Sequence, residues 1–290
     1  MTRAVVLGHT GFVGRALVAE LEHNGYEVIG HSSATLDLRE PAELSRLDAA
    51  LAPDAILFHL SALTAEKGLT LDVLAANLAM SLGVARYLES HAVRKCIYLS
   101  SDAVYPMVDV PVTESTPVAP VTLYALAKYA GERMLARVVE TRGLTLLCLR
   151  STGVYGPGDT HGTYGPNLFM RSIGAERVVR LFGDGEEARD HVFIDDLATI
   201  AVRLAETDVT GVFNIATGQS HTFASVVKDL GDIVPVPFAV EHLPRKVPIT
   251  HRHFDTSRLR RALPGFRFTE LKDGLQTSWE GARAATTWRR

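Results

Sequence analysis

The chain has 290 residues, 47% hydrophobic and 22% charged, with a formal net charge of −3, which is typical of a soluble globular protein and gives no support to a basic nucleic-acid-binding surface. Only two cysteines occur, Cys96 and Cys148, both in apolar segments, which indicates buried thiols in a reducing compartment rather than a disulfide framework. No signal peptide is evident and no apolar run approaches the roughly 20 residues of a membrane helix, so we expect a cytoplasmic protein with no membrane partner.

The first half of the sequence alternates apolar strands with helical stretches. Strands are predicted at 4–8, 26–32, 35–38, 54–62, 95–101 and 145–156. Helices are predicted at 12–25, from Pro41 onwards, at 69–91 and at about 122–142. This alternation predicts an α/β fold with a doubly wound, Rossmann-like parallel sheet.

The pattern changes after about residue 155. A glycine-rich loop is followed by helices at 166–176, 195–206, 222–232 and 255–263, a strand piece at 211–216 and a proline-rich extended segment. We therefore predict a dinucleotide-binding domain over residues 1–155 and a smaller C-terminal α/β substrate-binding region over 156–290. A segment of about 185–218 is expected to return to the first domain.

The first strand runs into three glycines spaced three apart, Gly8, Gly11 and Gly14, in the segment VVLGHTGFVG. Gly8 allows a sharp turn, Gly11 leaves room for a pyrophosphate, and Gly14 lets the following helix pack closely on the strand. The spacing alone is a weak signal, and a turn of small residues is the alternative. Its strand–turn–helix context favours a dinucleotide site.

The end of the second strand, VIGHSS, bears on the choice of cofactor. Enzymes that use NAD usually place a carboxylate there for the ribose hydroxyls, whereas this chain has Ser32 and Ser33. The cofactor is therefore NAD or NADP, with NADP favoured. Arg15 and Arg39 are candidates for a 2′-phosphate, and Asp37 for the adenine amino group.

Tyr124 and Lys128 are one helical turn apart and share a helix face. A lysine ammonium in this position is expected to lower the pKa of the phenol, so that it exchanges protons near neutral pH. Ser100 and Ser101 end a predicted strand, at the edge where such sheets bind ligands.

These motifs together resemble the extended short-chain dehydrogenase/reductase family, in particular its NAD(P)-dependent nucleotide-sugar epimerase/dehydratase group. The glycine turn, Ser101 and Tyr124-x-x-x-Lys128 carry the resemblance, together with LRSTGVYGPGD (149–159), which has Gly153 where the similar motif has asparagine, and FGDGEEARDHVFIDDLA (182–198).

The resemblance implies roles for individual residues. Tyr124 would be the acid/base, Lys128 would tune its pKa, and Ser101 would hold the reacting oxygen. The residues assigned to the cofactor are Gly8, Gly11, Phe12, Val13, Gly14, Ser32, Asp37, Leu38, Leu60, Ser61, Ala62, Asn77, Ser100, Tyr124 and Lys128. Those assigned to the substrate are Asp102, Asn167, Leu168, Arg189 and Arg245, with His161 and His191 as further candidates.

Departures from the family motifs reduce the number of reactions that the resemblance allows. Position 103 is alanine, where family dehydratases have glutamate and fucose-synthase-like enzymes have cysteine. The remaining possibilities are epimerisation at a sugar carbon, with C4 favoured, or NADPH-dependent reduction of a nucleotide 4-keto sugar. A non-catalytic cofactor-sensing regulator is a third hypothesis, disfavoured because Tyr124 and Lys128 are both present.

The resemblance implies two partners: a nucleotide-sugar substrate, and a second copy of the chain in a homodimer formed through the helices at 69–91 and 122–142. His251-Arg252-His253 is the sequence's one suggestion of a metal ligand pair. No third ligand accompanies it, so we predict no metal site.

Overall fold

The computed structural model describes residues 1–159 and 165–284. Its strands are β1 Arg3–Leu7, β2 Glu27–His31, β3 Ile56–His59, β4 Lys95–Ser101, β5 Leu146–Ser151, β6 Gly153–Tyr155, β7 Val178–Phe182, β8 Ala188–Phe193, β9 Gly211–Ile215, β10 Ser220–Thr222 and β11 Ala239–Leu243. Its α-helices are α1 Phe12–His23, α2 Leu71–Leu88, α3 Leu123–Arg142, α4 Gly165–Glu176, α5 Ile194–Glu206, α6 Phe223–Ile233, α7 Ser257–Ala262 and α8 Leu271–Ala284.

The described chain is built around a six-stranded sheet in the order β2-β1-β3-β4-β5-β9, in which every neighbouring pair is parallel. β3 and β5 are buried along their whole length, as the continuous apolar segments predicted. One core packs α1 and α5 on one face of the sheet, and another packs α2 and α3 on the opposite face. The predicted doubly wound α/β fold is confirmed.

The predicted strand at 35–38 is wrong. This segment forms turns, because the backbone N–H groups of Thr35 and Leu36 bond to the Ser32 carbonyl instead of to a neighbouring strand. Leu36 and Leu38 are still buried in the core, so the apolar pattern reported their burial and not their backbone conformation. β2 is consequently an edge strand, and Pro41 begins a 3₁₀ helix, Pro41–Leu47.

The C-terminal region contains a three-stranded sheet, β10-β8-β6, and a two-stranded pair, β11-β7. Within 185–218, α5 and β9 join the large sheet and its helical layer, whereas β8 belongs to the three-stranded sheet. The sequence patterns missed α8 and showed β11 only as part of an extended proline-rich segment. Leu271, Leu275 and Trp279 of α8 pack into a third core with α4 and α6.

The expectation that no apolar segment approaches the length of a membrane helix needs a correction at helix α2. It is long and apolar enough to cross a bilayer by length and composition alone, with a mean hydropathy of 1.2 over 18 residues. A single such helix is weak evidence for a membrane span, because core helices of soluble proteins pass the same test. Here α2 packs against α3 and contributes Val84, Ala85 and Leu88 to the core.

The two cysteines are buried free thiols, as predicted. Burial raises the pKa of Cys96 to about 12, which makes its thiol unreactive at neutral pH.

Candidate active site

A cleft of about 940 Å³ lies along the carboxyl ends of the central strands. Every residue assigned from sequence to the cofactor lines it except Asn77. The cleft begins at the glycine turn after β1, passes Ser61 and Ala62 after β3, and reaches Ser101 and Tyr124. The topology thus brings together residues far apart in sequence at one sheet edge, where this class of sheet binds its ligands.

The glycine turn has the backbone shape that the sequence predicted. Gly8 has φ +92°, a conformation that side chains with a Cβ rarely adopt. A Cβ on Gly14 would lie 2.1 Å from the Gly8 carbonyl oxygen, so only glycine lets α1 start this close to β1. The positive end of the α1 dipole is therefore held at the cleft, which suits a pyrophosphate.

Asn77 does not line the cleft itself but bonds to the backbone of a residue that does. Its side-chain oxygen accepts from Leu63 N at 2.7 Å, and its amide nitrogen donates to Leu63 O at 2.9 Å. Both bonds fix the segment that follows β3. The structure thus gives Asn77 a positioning role, because its polar atoms are committed to the backbone.

In the part of the cleft near Ser32, Asp37 forms a bidentate ion pair with Arg39. The Oδ1–Nε distance is 2.9 Å and the Oδ2–Nη2 distance is 2.5 Å. The bonds from Arg39 hold the pKa of Asp37 at about 2. Arg15, the other basic candidate, instead donates to the Thr10 carbonyl at 2.7 Å and the Gly158 carbonyl at 2.8 Å. Of these two arginines only Arg39 lines the cleft beside Ser32.

Tyr124 and Lys128 lie on the first turns of α3, whose start is set by the Thr122 hydroxyl accepting from Ala125 N at 3.1 Å. The Lys128 ammonium donates to the Leu99 carbonyl at 2.7 Å and lies 5.8 Å from the centre of the Tyr124 ring. Ser101 ends β4, and its hydroxyl accepts from Ala103 N at 3.2 Å. Tyr124, Lys128 and Ser101 therefore converge as the motifs predicted.

The predicted direction of the Tyr124 pKa is wrong. Burial raises the pKa of the phenol to about 12, the Asp102 carboxylate adds to this rise, and the Ser101 hydroxyl opposes it. Burial also lowers the pKa of Lys128 to about 8, against the opposing effect of the Glu132 carboxylate. Both shifts have the same main cause, because burial disfavours the charged form of each group.

Glu132 and Arg150 form a buried ion pair that the sequence analysis missed. Arg150 Nε donates to Glu132 Oε1 at 2.9 Å and Nη2 donates to Oε2 at 2.6 Å, with both side chains about 5% exposed. The Ser100 hydroxyl donates to the same carboxylate at 2.5 Å. The available signal was the repeat of Tyr124, Lys128 and Glu132 at four-residue intervals, which puts all three on one face of α3.

Comparison with known proteins agrees with this geometry. The model of the NAD dependent epimerase/dehydratase family matches residues 4–216. This chain belongs to that family. The matched range of this epimerase-family protein includes the glycine turn, Ser101, Tyr124 and Lys128, the residues that the sequence analysis assigned to the cofactor and to proton transfer.

Individual relatives resemble the protein over almost its whole length. It is 29% identical to a UDP-glucose 4-epimerase from Mycolicibacterium smegmatis, over 96% of this chain and 97% of that one. The structure of UDP-glucose 4-epimerase with UDP-glucose from Thermotoga maritima is 26% identical, with a TM-score of 0.84 over 98% of this chain and all of that one. A UDP-N-acetylglucosamine 4-epimerase from Methanobrevibacter ruminantium is 25% identical, with a TM-score of 0.86 over 98% of this chain and 99% of that one.

The arginines assigned to the substrate lie outside the described lining of the cleft. Arg189 donates to the Thr250 carbonyl at 2.6 Å and to its hydroxyl at 3.0 Å. Arg245 is paired with Glu186 and Glu187. Both guanidinium groups are thus bonded to neighbouring protein groups, and neither lines the cleft in this conformation.

The amide of Asn167 accepts from Gly156 N at 3.3 Å and donates to Asp159 at 2.5 Å, which ties the start of α4 to the loop after β6. Its neighbour Leu168 lies outside the described lining. His161 lies outside the described residues, whereas His191 lines the cleft.

Asp102, assigned to the substrate, is committed to Arg252 in this structure. Arg252 donates to the Asp102 carboxylate at 2.9 Å and to the Asp102 carbonyl at 2.7 Å. It also donates to the Tyr105 carbonyl at 3.1 Å. The middle residue of the suspected metal motif is therefore a structural arginine, which fixes the loop beside Ser101.

The histidines that flank Arg252 have stacked rings 6.1 Å apart, and His251 Nδ1 accepts from Ala188 N at 3.3 Å. Within residues 1–159 and 165–284, no group of three histidine, cysteine, aspartate or glutamate side chains could hold a metal ion.

The buried ion pair makes a measurable prediction. Glu132→Gln leaves the Arg150 charge buried without its partner, so we expect a loss of about 3–5 kcal/mol in the free energy of unfolding. Urea denaturation measures this loss. Glu140→Gln, at an exposed position on the same helix, is the control and is expected to change stability by less than about 0.5 kcal/mol. Equal midpoints for the two variants would contradict a stabilising role for the pair.

Proposed function

We propose that this protein is a nucleotide-sugar 4-epimerase that acts on UDP-glucose or a closely related UDP-sugar through transient hydride transfer at C4. The observation that carries the proposal is the convergence of Ser101, Tyr124 and Lys128 in one cleft with the glycine turn. Three relatives that match over nearly the full chain with 25–29% identity are named UDP-sugar 4-epimerases, which supports this substrate class. An ADP-heptose 6-epimerase and a relative named after GDP-L-fucose synthase match over a similar length with 27% and 26% identity, so the substrate is a proposal that the experiment below tests.

The residues of the cleft fit a dinucleotide. The α1 N-terminus and Gly8 suit the pyrophosphate, Ser61 and Ala62 line the cleft after β3, and Lys128 would bond to the nicotinamide ribose. NAD or NADP bound there supplies the hydride acceptor and donor, because protein side chains alone provide neither.

The protein's own part in the reaction is proton transfer and orientation. Tyr124 must be deprotonated for the oxidation step: its phenolate oxygen then takes the proton of the sugar 4-hydroxyl as the ketone forms, and the phenol returns that proton after the ketone has rotated in the cleft. The Ser101 hydroxyl donates to the same sugar oxygen and holds it beside the phenol. The Lys128 ammonium, fixed by the Leu99 carbonyl at 2.7 Å, stabilises negative charge that develops on the phenol oxygen.

For the cofactor we propose a preference for NADP(H). Ser32 and Ser33 offer hydroxyls at the end of β2, and Arg39 lines the same part of the cleft with a side chain that is 49% exposed. Rotation of Arg39 away from Asp37 would give a 2′-phosphate a bidentate partner.

We also propose a homodimer through α2 and α3. Leu71 and Leu82 of α2 and Leu126 of α3 are exposed apolar side chains on these two packed helices.

The experiment that tests the function is interconversion of a C4 epimer pair. We expect the purified protein with a catalytic amount of cofactor to convert UDP-glucose and UDP-galactose into the same equilibrium mixture, followed by chromatography. An epimerase consumes no reductant. Steady, stoichiometric loss of NADPH absorbance with a nucleotide 4-keto sugar, and no interconversion, would establish the reductase alternative instead.

Tyr124→Phe removes the proton-transferring oxygen. Loss of one positioned acid/base typically costs about 10²–10⁴-fold, so we expect a fall in kcat of that size, with little change in cofactor affinity. Tyr129→Phe on the same helix is the control and should keep the wild-type rate. A Tyr124→Phe enzyme as fast as the wild type would exclude the phenol from the reaction.

Two variants test the cofactor preference. Ser32→Asp should shift preference towards NAD(H), because the new carboxylate accepts from the ribose hydroxyls and repels a 2′-phosphate. Arg39→Ala should weaken NADP(H) binding about tenfold with little effect on NAD(H). Arg3→Ala, which loses an exposed pair with Glu27 away from the cleft, is the calorimetric control. Exclusive NAD(H) binding by the wild type would overturn the proposed preference.

A further inference from the structure

Two buried polar side chains in the cleft have hydrogen-bonding atoms without partners. They are the Thr152 hydroxyl and both ring nitrogens of His191, in residues that are 5% and 4% exposed, and none has a well-formed hydrogen bond within the described chain. The Gly153 backbone lies close enough to the His191 ring to oppose the fall of its pKa, but it does not satisfy the ring nitrogens. Both side chains line the same cleft as Ser101 and Tyr124. Buried polar groups in folded proteins nearly always have a partner, so this pair indicates a place where a ligand supplies the missing bonds.

The local backbone brings the two groups together. Thr152 connects β5 to β6, and Gly153, the first residue of β6, is directly opposite His191 of β8 in the parallel register. A Cβ on Gly153 would lie 3.2 Å from His191 Nδ1, and a Cβ on Gly165 would lie 3.1 Å from Cε1. The imidazole therefore occupies room that two glycines leave open. This arrangement belongs to a chain with glycine at 153, where the family motif has asparagine.

The charge state of the pair limits what it can recognise. Burial lowers the pKa of His191 to about 3, so the imidazole is neutral at physiological pH and has one donor and one acceptor nitrogen. The threonine hydroxyl likewise donates and accepts. A neutral pair of this kind matches alcohol groups, whereas phosphate or carboxylate recognition calls for a charged donor.

We infer that Thr152 and His191 form a specificity site for the sugar ring of the substrate, and that they bond to ring hydroxyls of the sugar whose C4 reacts beside Tyr124. The inference rests on the proposed function, since it takes the cleft to hold a UDP-sugar. The two residues select the sugar by its hydroxyl pattern and leave the nucleotide to other parts of the protein.

The test compares ligands that differ only by the sugar. Calorimetry with UDP and with UDP-glucose is carried out on wild type, Thr152→Val and His191→Phe, each loaded with cofactor. Thr152→Val keeps the side-chain shape and removes only the hydroxyl, so its result stands even if the larger ring of His191→Phe impairs folding. Thr256→Val, at a buried threonine outside the described cleft lining, is the control.

Each variant should weaken UDP-glucose binding about 3- to 10-fold, the usual worth of one neutral hydrogen bond, and leave the affinities for UDP and cofactor unchanged. The control should bind all three ligands as the wild type does. Equal loss for UDP and UDP-glucose, loss of cofactor affinity, or no loss would each overturn the inference while the proposed function stands. A wild-type protein that binds neither UDP nor UDP-glucose would instead overturn the proposed function.

Discussion

The reaction centre depends on the hydrogen bonds and ion pair that the buried Glu132 carboxylate forms. This carboxylate stands on α3, receives the guanidinium of Arg150 from β5 and the hydroxyl of Ser100 from β4, and lies one turn beyond Lys128. Because a buried charge must keep its partner, these bonds fix the rotation and height of α3 on the sheet. Because Tyr124 and Lys128 lie on the same helix, this buried ion pair also sets their positions relative to the sheet.

The electrostatics of the centre differ from the simple expectation for a lysine beside a tyrosine. Lys128 is buried and bonded to the Leu99 carbonyl, and its pKa falls to about 8. The Tyr124 phenol is shielded from water close to the Asp102 carboxylate, and its pKa rises to about 12. Desolvation favours the neutral form of both groups, and it is the largest cause of each pKa shift. Tyr124 is therefore neutral at rest, and its phenol must lose a proton before it can take the proton of the sugar hydroxyl.

The C-terminal region shapes the cleft through short elements and polar ties. Arg252 bonds the loop after β4, while Arg189 and Arg245 bond Thr250 and the Glu186–Glu187 pair. These bonds hold the C-terminal segments together outside the cleft lining, whereas Thr152 and His191 line the cleft and have hydrogen-bonding atoms without partners. The large sheet thus supplies the reaction groups, and the small β6–β8 pairing supplies the groups proposed to distinguish one sugar from another.

The sequence by itself determined the doubly wound sheet, because strands buried on both faces must be continuously apolar and glycines must occupy the turn after β1. It also indicated that Tyr124 and Lys128 share one helix face and that Ser101 ends a strand. Helical spacing and the end of an apolar run show this without any long-range contact. The apolar pattern at 35–38 did not reveal the turn there, which local bonds from the Thr35 and Leu36 N–H groups to the Ser32 carbonyl form in place of a strand ladder. Only the tertiary structure decided the Glu132–Arg150 pair, the anchoring by Arg252 and the juxtaposition of Gly153 with His191. Each of these contacts joins residues that are distant in the chain. The direction of a pKa shift in a buried group depends on all the neighbours that exclude water from it, and a local sequence pattern does not contain those neighbours.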